Sequence, residues 1–110
     1  MEVTERQFDD IIAVHVKSVV FLTQALVPLL NEGGRILNIS SGLAQGAIET
    51  DFSGGRVRDD PALNRMVAGM TALGRAGLPD AIGGAAAALL AEGSGWITGQ
   101  RVEASGGMML

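Results

Sequence analysis

A long helical pattern near the start constrains the fold of this 110-residue chain more than any other feature. Apolar side chains recur there at alternating spacings of four and three residues, which places them on one helical face. Thr4 can cap this helix, and Gln7 stands three residues later, where a capping box requires Glu or Gln. We therefore predict a helix over residues 4–31 that Gly33 and Gly34 stop. The face comprises Phe8, Ile12, His15, Val19, Leu22 and Leu26.

Further apolar residues widen the surface of this helix beyond that one face. Such a helix is expected to be heavily buried or shared with another subunit. A membrane span is a distant alternative, since Lys17 interrupts the apolar run and only residues 18–31 follow without a charge. A spanning helix needs about 20 mostly apolar residues. We therefore predict no membrane partner, and the acidic start of the chain predicts no signal peptide.

Composition excludes several classes of function. The net charge is −4 and Lys17 is the only lysine, so phosphate neutralisation on nucleic acid is not expected. Cysteine is absent and His15 is the only histidine, which leaves neither a disulfide nor an ordinary metal cluster. The acidic residues Asp51, Asp59 and Asp60 fit no metal-binding loop, and helix-terminal acids explain the last pair. The chain is predicted to be cytoplasmic.

The remaining elements predict an α/β class in a single partial domain over residues 1–110. Residues 35–40 are short, rich in branched apolar side chains and bounded by glycine, as in a buried parallel strand. Asp60 and Pro61 open one helix, and a second helix starts at Pro79 and ends near Glu92. Residues 96–104 predict a last strand.

Four local patterns in a shared order resemble the C-terminal part of a short-chain dehydrogenase/reductase. Residues 8–25 resemble the central interface helix of that family. The peptide Gly34-Arg35-Ile36-Leu37-Asn38-Ile39-Ser40-Ser41-Gly42 resembles the strand that ends with the catalytic serine. Gly46-Ala47-Ile48-Glu49-Thr50 resembles the cofactor loop. Gly74-Arg75-x-Gly77-x-Pro79-Asp80, residues 96–100 and the pair Gly106-Gly107 resemble the C-terminal signature.

The resemblance implies a function, a fold and a set of site residues. It implies an oxidoreductase that uses NAD or NADP to interconvert an alcohol and a carbonyl, on an incomplete doubly wound, Rossmann-like fragment of about two parallel strands and three helices. A homo-oligomer would form through helix 4–31 and the C-terminal helix and strand. By the same resemblance, Ser41 is the catalytic serine and His15 stands at a position where the family often has asparagine. The cofactor contacts are Ile39, Ser40, Gly46, Ile48 and Thr50.

Two losses lead us to predict a catalytically incompetent chain with vestigial site residues. The family's Tyr-x-x-x-Lys helix would lie between Ser41 and Gly46, yet the chain contains no tyrosine. The phosphate-binding Gly-x-x-x-Gly-x-Gly spacing is also absent. NAD(P) binding is therefore not expected, Ser41 is expected only to end a strand, and His15 to serve packing or an interface. The alternatives are a self-associating, non-catalytic remnant or engineered fragment and, more distantly, a small membrane-associated protein.

Overall fold

The computed structural model describes residues 2–40 and 46–110. The chain divides into two units, Met1–Asn38 and Ile39–Leu110. The assignment of residues 1–110 to one domain therefore stays a prediction.

The first unit is built around a continuous helical run. Helix α1 spans Glu5–Ile12, a π-helical turn spans Ala13–Lys17, helix α2 spans Ser18–Leu26, and a 3₁₀ turn over Val27–Leu29 ends the run. The predicted capping box is confirmed. The Gln7 N–H donates to Thr4 Oγ1 at 3.3 Å, and the Thr4 N–H donates to Gln7 Oε1 at 3.0 Å. These two bonds satisfy donors that a helix start otherwise leaves unpaired.

The π-helical turn changes the apolar face that the spacing predicts. A π-helical turn holds more residues than an α-helical turn, so side chains beyond it are rotated relative to a regular helix. The Ser18 hydroxyl donates to the Val14 carbonyl across this turn. His15 lies within it and is exposed. Val19, Leu22 and Leu26 keep their own spacing on α2 and form one apolar stripe, which we call the α2 stripe.

No residue of this run is buried within the part of the chain that the structure describes. Phe8 is 58% exposed and Leu22 is 60% exposed, although both carry large apolar side chains. The run Glu5–Leu29 is also long and apolar enough to cross a membrane, by length and composition alone.

The second unit contains three α-helices among its described residues. Helix α3 spans Arg56–Asp59, α4 spans Pro61–Gly69 and α5 spans Pro79–Leu90. Short 3₁₀ turns over Phe52–Gly55 and Glu92–Ser94 accompany them. The helix starts predicted at Pro61 and Pro79 are confirmed. The small core consists of Val67, Thr71, Ala76 and Met108.

The α/β class and the Rossmann-like fragment with two parallel strands are wrong. The described residues are 55% helical and contain no strand, neither at 35–40 nor at 96–104. Only two isolated bridges occur among them, a parallel one between Ile48 and Gly77 and an antiparallel one between Thr71 and Met108. A helix satisfies its backbone from within, whereas a strand needs a neighbour in register. Residues 35–40 and 96–104 have strand-like sequences, but neither segment forms a strand ladder among the described residues.

Asp60 caps α4, and this cap makes the stability of the fold depend on pH. Its carboxylate accepts the Leu63 N–H at 3.2 Å and the Ala62 N–H at 2.9 Å, and these bonds lower the pKa of Asp60. A carboxyl whose pKa is lower in the folded than in the unfolded state stabilises the fold at pH values above its unfolded pKa, about 3.9. That stabilisation is lost as the pH falls through the folded-state pKa. We expect Asp60→Ala to lower the melting temperature at pH 7 and to have much less effect in strong acid.

Thermal melts followed by circular dichroism at neutral and strongly acid pH test this prediction. Asp60→Asn is the control, because it keeps an oxygen acceptor for the cap while removing the charge. A loss of stability in Asp60→Ala that is equal at both pH values would contradict the expectation.

Candidate cofactor loop

The best-defined candidate site is the loop over residues 46–50, which we call the cofactor loop after its resemblance. It lies against Gly77, which precedes α5. The Glu49 N–H donates to the Gly77 carbonyl and the Gly77 N–H donates to the Ala47 carbonyl, both at 2.9 Å. A methyl group at Gly77 would overlap the Cδ1 atom of Ile48. The loop is thus fixed by paired backbone bonds and by a close approach that glycine allows.

Two polar side chains fix the loop further. The side-chain amide of Asn64 on α4 donates through Nδ2 to Glu49 Oε1 at 2.8 Å and to the Val57 carbonyl at 2.9 Å. Thr50 Oγ1 accepts the Phe52 N–H at 3.2 Å. The sequence analysis missed Asn64, because its partner lies 15 residues away and no local pattern marks such a contact.

A cavity of about 150 Å³ lies beside the loop. Its lining is mostly apolar and includes Ile48, Leu73 and Ile82, with Arg75 and Ser105 as its polar members. Arg75 Nη1 donates to the Ala76 carbonyl at 3.0 Å, and Ser105 Oγ donates to Glu103 Oε1 at 2.7 Å. Both polar groups therefore already have a hydrogen-bond partner in the protein.

The structure brings together only part of the predicted site. Gly46, Ile48 and Thr50 share the cofactor loop and are partly buried. Ile39 and Ser40 are exposed at the start of the second unit, and Ile39 is 68% exposed. Ser41 lies outside the described residues. His15 belongs to the first unit, in the π-helical turn.

Two aspartates near the loop, Asp51 and Asp59, form ion pairs with Arg58. Arg58 binds Asp59 through Nε at 2.7 Å and Nη2 at 2.8 Å, and it reaches Asp51 Oδ1 through Nη1 at 2.5 Å. These bonds raise the pKa of Arg58, and the bond from Arg58 lowers the pKa of Asp59. All three side chains are substantially exposed, so the pairs are expected to contribute little to stability.

Comparison with known proteins identifies the family of the chain. The family described as enoyl-(acyl carrier protein) reductase matches residues 1–50 and 42–109. Dehydrogenase OXI1 of Cochliobolus heterostrophus is 28% identical over 147 aligned positions, which cover 96% of this chain and 63% of that protein. An uncharacterized oxidoreductase of Methylorubrum extorquens is 30% identical over 146 positions, which cover 97% of this chain and 59% of that protein. The chain belongs to the short-chain dehydrogenase/reductase family. No solved structure matches it significantly.

These alignments contain an internal discontinuity. With 147 and 146 positions against 110 residues, they leave at least 37 and 36 positions of the relatives without a counterpart in this chain. The two blocks of the family match overlap at residues 42–50, which indicates that the discontinuity lies there. This agrees with the internal loss predicted between Ser41 and Gly46. The aligned ranges also span less than two thirds of either relative.

The described residues do not fit a nicotinamide dinucleotide, although members of this family generally use NAD(P). The cavity beside the cofactor loop, at about 150 Å³, is smaller than the several hundred cubic ångströms of ordinary ligand pockets. The Ile48 carbonyl accepts the Thr50 N–H at 2.9 Å, so part of the loop backbone is already paired. The glycine spacing that lets a backbone approach pyrophosphate is absent from the sequence.

Proposed function

We propose that this chain is a catalytically incompetent member of the short-chain dehydrogenase/reductase family that neither binds NAD(P) nor turns over an alcohol or carbonyl. The single observation that carries the proposal is the internal discontinuity at residues 42–50, where the Tyr-x-x-x-Lys helix would be encoded. Nothing else in the chain replaces that helix, since the sequence contains no tyrosine and its one lysine, Lys17, lies on the helical run of the first unit.

The proton chemistry explains why this loss matters. Reduction of a carbonyl needs a proton donor at the oxygen as hydride arrives at the carbon, and positioned acids of this kind supply large rate factors. By the resemblance, the family uses a tyrosine whose pKa a lysine lowers. A serine at position 41 could hold the oxygen, but it would lack that donor. A second copy of the chain would not help, because it has no tyrosine either.

Two measurements on the purified chain test the proposal. We expect no change in NADPH fluorescence on titration with micromolar protein, because the loop has no phosphate cradle beside it. We also expect no oxidation of NADPH with a panel of ketones and aldehydes. An intact family member, run in parallel, is the positive control for both assays. Saturable binding of NADPH would contradict the proposed loss of cofactor binding, and turnover free of contaminating reductase would contradict the loss of catalysis.

A role in self-association is a second candidate, which the exposure of the helical run favours. We propose that copies of the chain associate through the helix predicted over residues 4–31, with the α2 stripe at the contact. The C-terminal helix α5 and the segment after it are the other proposed surface, where Trp96 is 99% exposed. The acidic charge and the single lysine favour a protein partner over nucleic acid. We propose a cytoplasmic location, which the absence of cysteine favours.

A membrane is the competing partner for the same helical run. Its length and composition fit a span, whereas Lys17 leaves only residues 18–31 uncharged after it. That stretch is shorter than the roughly 20 residues that a spanning helix needs. We therefore expect the expressed chain to remain in the supernatant after carbonate extraction of membranes. Recovery in the carbonate-resistant pellet would instead identify the membrane as its partner.

A further inference from the structure

The last residues of the chain form a strap over the segment that also supports the cofactor loop. We define the strap as residues 105–109 and its base as residues 70–77. The Ala72 N–H donates to the Gly107 carbonyl at 3.0 Å, and the Leu73 N–H donates to the Gly106 carbonyl at 3.2 Å. The Met109 N–H donates to the Met70 carbonyl at 2.8 Å.

One residue of the strap is buried deeply enough to hold it in place. Met108 is 9% exposed and forms the antiparallel bridge with Thr71, which is 8% exposed. Thr71 Oγ1 in turn donates to the Val67 carbonyl at the end of α4 at 2.8 Å. The strap is therefore connected through Met108 to the core of the second unit, whereas its neighbour Met109 is 68% exposed.

The strap also contacts the cofactor loop directly. A Cβ atom added to Gly46 would lie 3.1 Å from Ser105 Cα and 3.2 Å from Ser105 Cβ, so the two backbones are close. The middle of the loop rests on Gly77, at the end of the same base, through the bonds at Ala47 and Glu49. Strap, base and loop thus each contribute to the lining of the cavity, which includes Ile48, Leu73, Arg75, Ser105 and Gly106.

We propose that the strap positions the cofactor loop, with Met108 and Ser105 as positioning residues that act through Gly46 and the base. Without the strap, one side of the loop would lose its contact at Gly46, and the cavity would give the loop room to leave Gly77. The coupling concerns only the position of the loop and does not depend on the proposed function, because no nucleotide takes part in it.

Site-resolved hydrogen exchange on the full chain tests the coupling. The variant Met108→Gln places a polar group in the buried position of the strap. We expect amide exchange at Glu49 and Gly77 to become about tenfold faster or more, because local opening governs exchange. Amides in the middle of α5 should keep their rates, and Met108→Leu should restore slow exchange at Glu49, because it keeps the apolar volume. Met109→Gln is the matched control and should leave Glu49 unchanged.

Two results would overturn the proposal. Faster exchange at Ala72 and Leu73 with unchanged exchange at Glu49 would show that the strap can leave without the loop. Equal acceleration throughout α4, α5 and the loop would show that Met108 only stabilises the core. If Met108→Gln does not fold, deletion of Met109 and Leu110 removes one strap bond and keeps Met108. That deletion should accelerate Glu49 exchange to a smaller but measurable extent, and unchanged exchange would contradict the proposal. Binding of NADPH, tested separately, has no bearing on these outcomes.

Discussion

Leu22→Asp is expected to separate associated copies of the chain into monomers. Leu22 lies at the centre of the α2 stripe and is 60% exposed within one chain. Burying a leucine contributes about 1.5–3 kcal/mol, and a two-fold interface loses it from both copies. The dissociation constant should therefore rise by about two orders of magnitude or more, since each 1.4 kcal/mol is a factor of about ten. Sedimentation equilibrium of the parent chain and the variant measures the dissociation constant.

A control separates this effect from an effect of charge on the helix. Gln24→Asp adds the same charge two residues away, outside the α2 stripe, and should leave the association constant nearly unchanged. Circular dichroism must show equal helical content in all three proteins. If the parent is itself monomeric at high concentration, or if both variants dissociate equally, then the α2 stripe is not the self-association surface.

Gly107→Ala is expected to destabilise the second unit strongly. Gly107 has φ +75°, which costs a residue with a Cβ about 1–2 kcal/mol. The added Cβ would also lie 2.8 Å from Ala72 Cβ, which belongs to the base and cannot rotate away. Overpacking of this kind costs about 1–3 kcal/mol. The two effects together predict a loss of about 2–5 kcal/mol in the free energy of unfolding.

Urea unfolding followed by far-ultraviolet circular dichroism measures the loss. Gly83→Ala is the matched control, because Gly83 lies within α5 and a Cβ there meets no atom within 4 Å. That control should gain about 0.5–1 kcal/mol, since alanine favours helix over glycine. Equal stability of Gly107→Ala and the parent would show that the strap does not hold the position described.

Local signals in the sequence predicted the starts of α1, α4 and α5, but not the short helix α3. Thr4 and Gln7 form the capping box that their spacing predicted, and Asp60 caps the helix that Pro61 opens. Each of these features depends on atoms within four residues of one another, so the sequence alone contains the whole interaction. The π-helical turn over Ala13–Lys17 was not predicted, because apolar spacing does not distinguish an inserted residue from a regular turn.

The prediction of two strands was wrong for the opposite reason. The sequence of residues 35–40 has the composition of a buried strand, but composition does not provide a hydrogen-bonding neighbour. The site shows the same limit. Gly46, Ile48 and Thr50 were identified from a contiguous motif, whereas the roles of Asn64 and Ser105 depend on contacts between distant parts of the chain. Such contacts follow from tertiary structure and leave no periodic trace.

Trp96 has a practical consequence for absorbance and fluorescence measurements on this protein. It is the only tryptophan, the chain has no tyrosine, and its indole is almost fully in water. Absorbance near 280 nm therefore comes from one chromophore, and its emission needs no correction for other residues. An indole that begins in water shifts its emission to shorter wavelength when a partner covers it. The spectrum of the unmodified chain thus reports directly on any contact made at the surface after α5.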